Sequence, residues 1–137
     1  MIEMMLTISA ITIILGIGIP VYQSLQNRNG LDIAATTITQ SLRRAQVLSQ
    51  SGEGDANWGV KIVSGNIIIF KGADFSSRDQ GSDEIFDTLT SIVPSGLTEV
   101  VFEKSSGLPG AFGEIGLTFN SRENRNITIN EKGTINY

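Results

Sequence analysis

The chain has 137 residues, neither cysteine nor histidine, and 10 basic against 14 acidic side chains for a net charge of −4. That composition excludes disulfide stapling and removes the usual thiol nucleophiles and imidazole or thiolate metal sites. The acidic balance, with a pI near 4.7, disfavours a protein-wide field that would gather nucleic acid or anionic lipid.

A hydrophobic run opens the chain. Positions 4–27 are 24 residues without a formal charge, enough at about 1.5 Å rise per residue for a helix to cross the ~30 Å hydrocarbon layer of a bilayer. The run lacks the positive leading region and small-residue cleavage site of a secretory signal and exceeds its usual length, so a retained single-pass anchor is expected. Eleven large apolar residues lie from Met4 to Val21, and at about 1.5–3 kcal/mol each their exposure to water would cost more than ~15 kcal/mol. Met4, Leu6, Ile8, Ile11, Ile14 and Leu15 are therefore expected to pack against lipid or against other helices. Glu3 is the sole ionisable side chain before Arg28. An unpaired carboxylate in apolar surroundings costs several kcal/mol, so Glu3 belongs at the headgroup level or beside a positive partner. Gly16, Gly18 and Pro20 weaken the same helix, because glycine costs about 1 kcal/mol and proline about 3 in a helix interior. They mark a kink or a segment able to unwind.

From Leu31 the helical period resumes in amphipathic form: Leu31, Ala34, Ala35, Ile38, Leu42, Ala45 and Leu48 share one face, with Asp32, Thr36, Thr39, Arg43, Gln46 and Gln50 mostly elsewhere. Asn29-Gly30 is a point where the rod could bend, and Gly52 and Gly54 mark the exit. Short β-rich runs follow at 58–63, 66–71, 84–89, 99–103, 114–119, 126–130 and 133–137, with tight hairpins expected at Ser64-Gly65 and at Glu131-Lys132-Gly133. The expected fold is α+β: a long N-terminal helix packed on an antiparallel β-sheet domain. Its units are a hydrophobic helix half (1–27), an amphipathic helix half (28–54) and a globular β head (55–137). Val60, Ile62, Ile67, Ile69, Val100, Phe102, Ile115, Leu117, Phe119, Ile127 and Ile129 supply the core, and Trp58 and Phe70 are likewise read as core residues.

The opening M-I-E-M-M-L-T-I-S-A-I-T-I-I-L-G-I-G-I-P-V-Y-Q resembles the N-terminal helix of type IV pilins and their pseudopilin relatives. Glu3 and Pro20 reproduce that family's spacing of seventeen residues between its glutamate and its helix proline, and Tyr22 follows as it does there. The family glutamate is fifth in the mature chain and here is third, so two residues and a leader peptide are expected before Met1. The resemblance implies a structural filament subunit held in the inner membrane and polymerised by an assembly platform into an extracellular or periplasmic filament. Its partners are membrane lipid first and other copies of itself afterwards. It implies that Glu3 pairs with the N-methylated amine of the adjacent subunit and sets the axial register. Residues 100–133, with the V-x-F strand at Val100–Phe102 and the Arg125-to-Gly133 hairpin, resemble more loosely the β-domain of H-type minor pseudopilins. That implies the alternative role of a minor subunit in a secretion or DNA-uptake machine.

Other positions are weaker candidates. Asp79, Asp83 and Glu84 lie in an acidic, glycine-bearing stretch that could hold Ca²⁺ through carboxylate oxygens, although the spacing is not that of an EF-hand. A solvated turn is the plainer reading, and no other cofactor is expected. Arg43, Arg44, Arg122 and Arg125 could touch DNA, but in an acidic domain they read as surface, and nucleic acid is not an expected partner. Asp83 and Glu84 point apart in an extended segment and no serine has a base, so no enzymatic role is expected.

Overall fold

Helix α1 spans Ile2–Ser51 in a computed structural model that describes residues 1–16, 28–121 and 123–137. Its second half is amphipathic for the reason read from the sequence. Leu31, Ala34, Ala35, Ile38, Leu42 and Ala45 are all buried, whereas Asp32, Arg43 and Gln50 stand in solvent. Thr39 departs from the expectation: it faces the core, and its hydroxyl is satisfied by donating to the Ala35 carbonyl at 2.9 Å. The helix stops at Gly52, whose φ of 69° turns the backbone out through a left-handed conformation while its N–H bonds back to the Leu48 and Ser49 carbonyls. Asn29-Gly30 does not interrupt α1. The glycine leaves room for a side chain to lie over the helix, since a Cβ at Gly30 would come within 2.5 Å of Leu89 Cδ1 and push that side chain aside.

A short 3-10 turn (Glu53–Asp55) leads into eight strands. They are β1 (Trp58–Val63), β2 (Asn66–Lys71), β3 (Asp79–Asp87), β4 (Ile92–Gly96), β5 (Glu99–Phe102), β6 (Gly113–Phe119), β7 (Glu123–Ile129) and β8 (Ile135–Asn136). Both expected hairpins form, β1 to β2 with Val63 opposite Asn66 and β7 to β8 with Ile129 opposite Ile135. The fold is α+β with antiparallel pairing throughout.

One sheet was expected and two are present, in the orders β3-β2-β1-β5 and β4-β6-β7-β8. The helix contacts β1, β2 and β5 of one sheet and β6, β7 and β8 of the other. A helix is only ~10–12 Å across, so two narrower twisted sheets enclose it where one broad sheet would lie against a single side. All eleven expected core positions are buried between the helix and these sheets. Phe70 is buried on the opposite face of β2. There it fills the space over Gly59, where a Cβ would come within 2.6 Å of its ring, and meets Phe75 edge-on at 5.5 Å.

Strand β3 was expected at 84–89 and starts earlier, and strand β4 was not expected at all, each for an identifiable reason. β3 begins at Asp79 because pairing of Lys71 with Asp79, across a register shift after Ile69, extends the ladder through residues of low strand propensity. β4 contains Pro94, which argues against a central strand, yet β4 lies at a sheet edge where a missing N–H is tolerated.

Ser49 fastens the helix to the first sheet. Its buried hydroxyl accepts the Trp58 N–H at 2.9 Å and donates to the Phe102 carbonyl at 3.0 Å. Ser49→Ala orphans both backbone groups and should cost about 1–3 kcal/mol of head stability. Exposed Val47→Ala should stay within about 0.5 kcal/mol. Urea unfolding of the full chain in detergent, followed by Trp58 fluorescence, compares them; equal midpoints for the two variants would refute this role.

Candidate functional site

The exposed half of α1 carries the chemistry that the sequence singled out. Met4, Leu6, Ile8, Ile11, Ile14 and Leu15 are between 56% and 71% exposed, and no element of the head covers them. Polar side chains along the same rod are satisfied within it. Thr7, Ser9 and Thr12 donate to the Met4, Leu6 and Ile8 carbonyls at 2.9, 2.9 and 2.7 Å. A hydroxyl bonded to its own helix can enter apolar surroundings without an unmet donor, so these three residues leave the rod compatible with lipid or with another helix. Among the described residues no helix is long and apolar enough to cross a membrane. Glu3 is exposed in the first turn of α1, where the helix dipole favours an acid. Gly16 is open on all sides. Gly18 and Pro20, the other two positions of the kink or melting segment, lie outside the described residues.

Where α1 meets the head, two ion pairs join the helix to β7. Arg28 Nε lies 2.8 Å from Glu123 Oε1, and Arg125 Nε lies 2.7 Å from Asp32 Oδ1. Arg28 and Asp32 are one helical turn apart, and Glu123 and Arg125 share a strand face, so the four charges alternate across the joint. Farther along, Arg44 pairs with Glu84 of β3 at 2.7 Å. Arg44 and Arg125, read as surface cations, are thus engaged within the chain; Arg43 is exposed and Arg122 lies outside the described residues.

The possible cation loop is not assembled. Asp79, Asp83 and Glu84 sit on strand β3, and each carboxylate has a hydrogen-bond partner outside the group, while Asp83 Oδ1 is buried without one. Asp79 accepts the Gly81 N–H and the Ser82 hydroxyl at 3.2 and 2.9 Å, Asp83 takes Arg78 at 2.8 Å, and Glu84 takes Arg44. Alternation along a strand sends Asp83 and Glu84 to opposite faces. Among the described residues no group of three acids, histidines or cysteines is placed to hold a metal ion. Arg78 itself lies over the Phe75 ring at 3.8 Å, closing the β2–β3 connection onto the sheet.

Sequence reasoning missed a groove of about 550 Å³ between α1 and the β3–β4 connection, lined by Gly30, Ile33, Ala34, Thr88 and Leu89 among others. Ile33 breaks the amphipathic pattern of its helix half, being 66% exposed, and that break was the signal available in the sequence.

Hydrogen bonds set the acid behaviour of the β2–β3 segment. The Ser77 N–H at 2.8 Å holds the Asp74 carboxyl below its ordinary 3.8, and the Ser82 hydroxyl with the Gly81 N–H does the same for Asp79. Both folded values lie below the unfolded one, so this stabilisation is present above the unfolded value and is lost as pH falls through the lowered folded values. Carboxyl-carbon NMR titration should find Asp74 and Asp79 protonating at lower pH than an unbonded aspartate, with Ser82→Ala returning Asp79 upward; an unmoved Asp79 midpoint in that variant would refute the assignment.

No family model, no curated protein and no solved structure matches this chain.

Proposed function

We propose that this chain is a structural subunit of a type IV pilus-like filament, held by its apolar helix half in a membrane and then transferred into a bundle of like helices. One observation carries the reading: the head is packed without residues 2–15, whose large apolar side chains stand free on a helix continuous with the one the head encloses. At about 1.5–3 kcal/mol per side chain, such a surface requires cover, and lipid followed by neighbouring copies supplies it without passage through water. The resemblance of residues 1–25 to the pilin helix supports the same conclusion. The looser resemblance of residues 100–133 to H-type minor pseudopilins favours a second reading, a scarce subunit of a secretion or DNA-uptake filament built on the same helix chemistry.

In this reading Glu3 selects the axial offset between subunits. Inside an apolar bundle its carboxylate is tolerable only beside a positive group, and the amino terminus of a neighbouring copy is the nearest chemical candidate. Wrong offsets leave it unpaired at a cost of several kcal/mol.

Glu3→Ala should therefore insert in membranes at the level of the parent chain and fail to yield ordered filaments, as scored by membrane fractionation and electron microscopy. Normal filaments from this variant would eliminate the register role. Mass identification of purified filaments separates the two readings: this chain as the main component supports the major subunit, and a trace amount among a different chain supports the minor one.

A further inference from the structure

We infer that the β2–β3 connection, residues 72–78, is a strap that opens and closes as one unit over the outer face of the first sheet, with Glu99 and Arg78 as its two clasps. Every group in it belongs to the head, so the strap stands apart from the filament reading.

Both ends of the strap are fixed. Lys71 pairs with Asp79 across the ladder, and the Gly72 N–H donates to the Asn57 carbonyl at 2.9 Å. The ends also meet each other: a Cβ at Gly72 would come within 3.0 Å of Arg78 Cα, so glycine lets the loop close on itself. Between those ends, among the described residues, residues 73–78 make no backbone–backbone hydrogen bond to the sheet. Their hold on it comes from side chains.

Glu99 of β5 supplies the first clasp. One of its carboxylate oxygens accepts the Phe75 N–H and the other takes Lys61 of β1, each at 3.0 Å. Arg78 supplies the second. Its Nε meets Asp83 Oδ2 at 2.8 Å, its Nη1 donates to the Phe75 carbonyl at 2.9 Å, and its guanidinium lies 3.8 Å over the Phe75 ring. Both clasps therefore act on Phe75, one through its N–H and the other through its carbonyl and ring. Held in this way, Phe75 meets Phe70 edge-on at 5.5 Å, and Phe70 is wholly buried although it faces away from the core.

Asp83 ties the second clasp to the closed state. Only 9% of its side chain is exposed, its Oδ1 has no partner, and among the described residues Arg78 is its counter-ion. A carboxylate so enclosed that loses its cation requires water, which favours the open strap. A segment held by few contacts and by little backbone bonding opens at lower free energy than the whole domain. Closed, this face presents Asp74, Ser76 and Ser77; open, it presents Phe70 in the space over Gly59. The strap thus decides whether an aromatic surface is on show.

Hydrogen exchange of the full chain in detergent, read residue by residue by NMR, tests the coupling. Arg78→Ala leaves Glu99 and the Phe75 N–H in place, so clasps that act separately would leave Phe75 exchange unchanged. The expected result is exchange at least ~10-fold faster at the Phe75 amide, with the Val60 amide of β1 at its parent rate. Phe75 exchange at the parent rate, or equal acceleration at Val60, would overturn the inference. In the converse variant, Glu99→Ala, the Arg78 Nε–H should exchange faster by a similar factor while Val60 is again unmoved. An unchanged Nε–H there would equally overturn it.

Discussion

The structure turns on one helix whose two halves meet different surroundings. From Leu31 to Leu48 its apolar face is enclosed by two sheets of its own chain, and from Met4 to Leu15 its apolar residues face outward with nothing of the chain against them. Hydrophobic burial is non-directional and large, so the first half of the rod is stable only where something else removes it from water. The head cannot serve, because its sheets already close around the second half. Every functional statement about this protein follows from that division of one continuous element.

The attachment of the head to the rod is correspondingly firm in its interior and adjustable at its mouth. At the far end, Ser49 inserts a buried hydroxyl between β1 and β5, and Gly52 ends the helix with its carbonyls satisfied. Such buried bonds are costly to break. At the near end, Arg28, Asp32 and Arg125 are largely exposed and Glu123 is partly buried, so these pairs are individually worth little beside the interior bonds. In the filament reading, a head anchored on the second half of the helix travels with it into the lattice.

Much of this was legible in the chain because the relevant signals are local. The period of Leu31, Ala34, Ala35, Ile38, Leu42 and Ala45 identifies a helix and its buried face in one step, and Gly52 identifies its end. The strands from Trp58 and Asn66 were readable to the residue, since their alternating apolar positions flank a serine-glycine turn. Signals that depend on partners were not. Asp79 to Asp83 read as a polar loop and became a strand because Lys71 pairs across from it. Pro94 masked β4 because its edge position is a property of strand order, and of the acids proposed as a cation site Glu84 is drawn to Arg44, forty residues away on the helix.

By itself the sequence determined that an uncharged apolar rod precedes an amphipathic helix and a β-rich head, because hydrophobic period and turn chemistry act over a few residues. Tertiary structure alone decided that the β-strands divide into two sheets, that Ser49 is the fastening point, and that Ile33 and Leu89 line a common groove. Those outcomes depend on which distant segments come into contact, and contact between distant segments is fixed by packing around the helix and not by any local pattern.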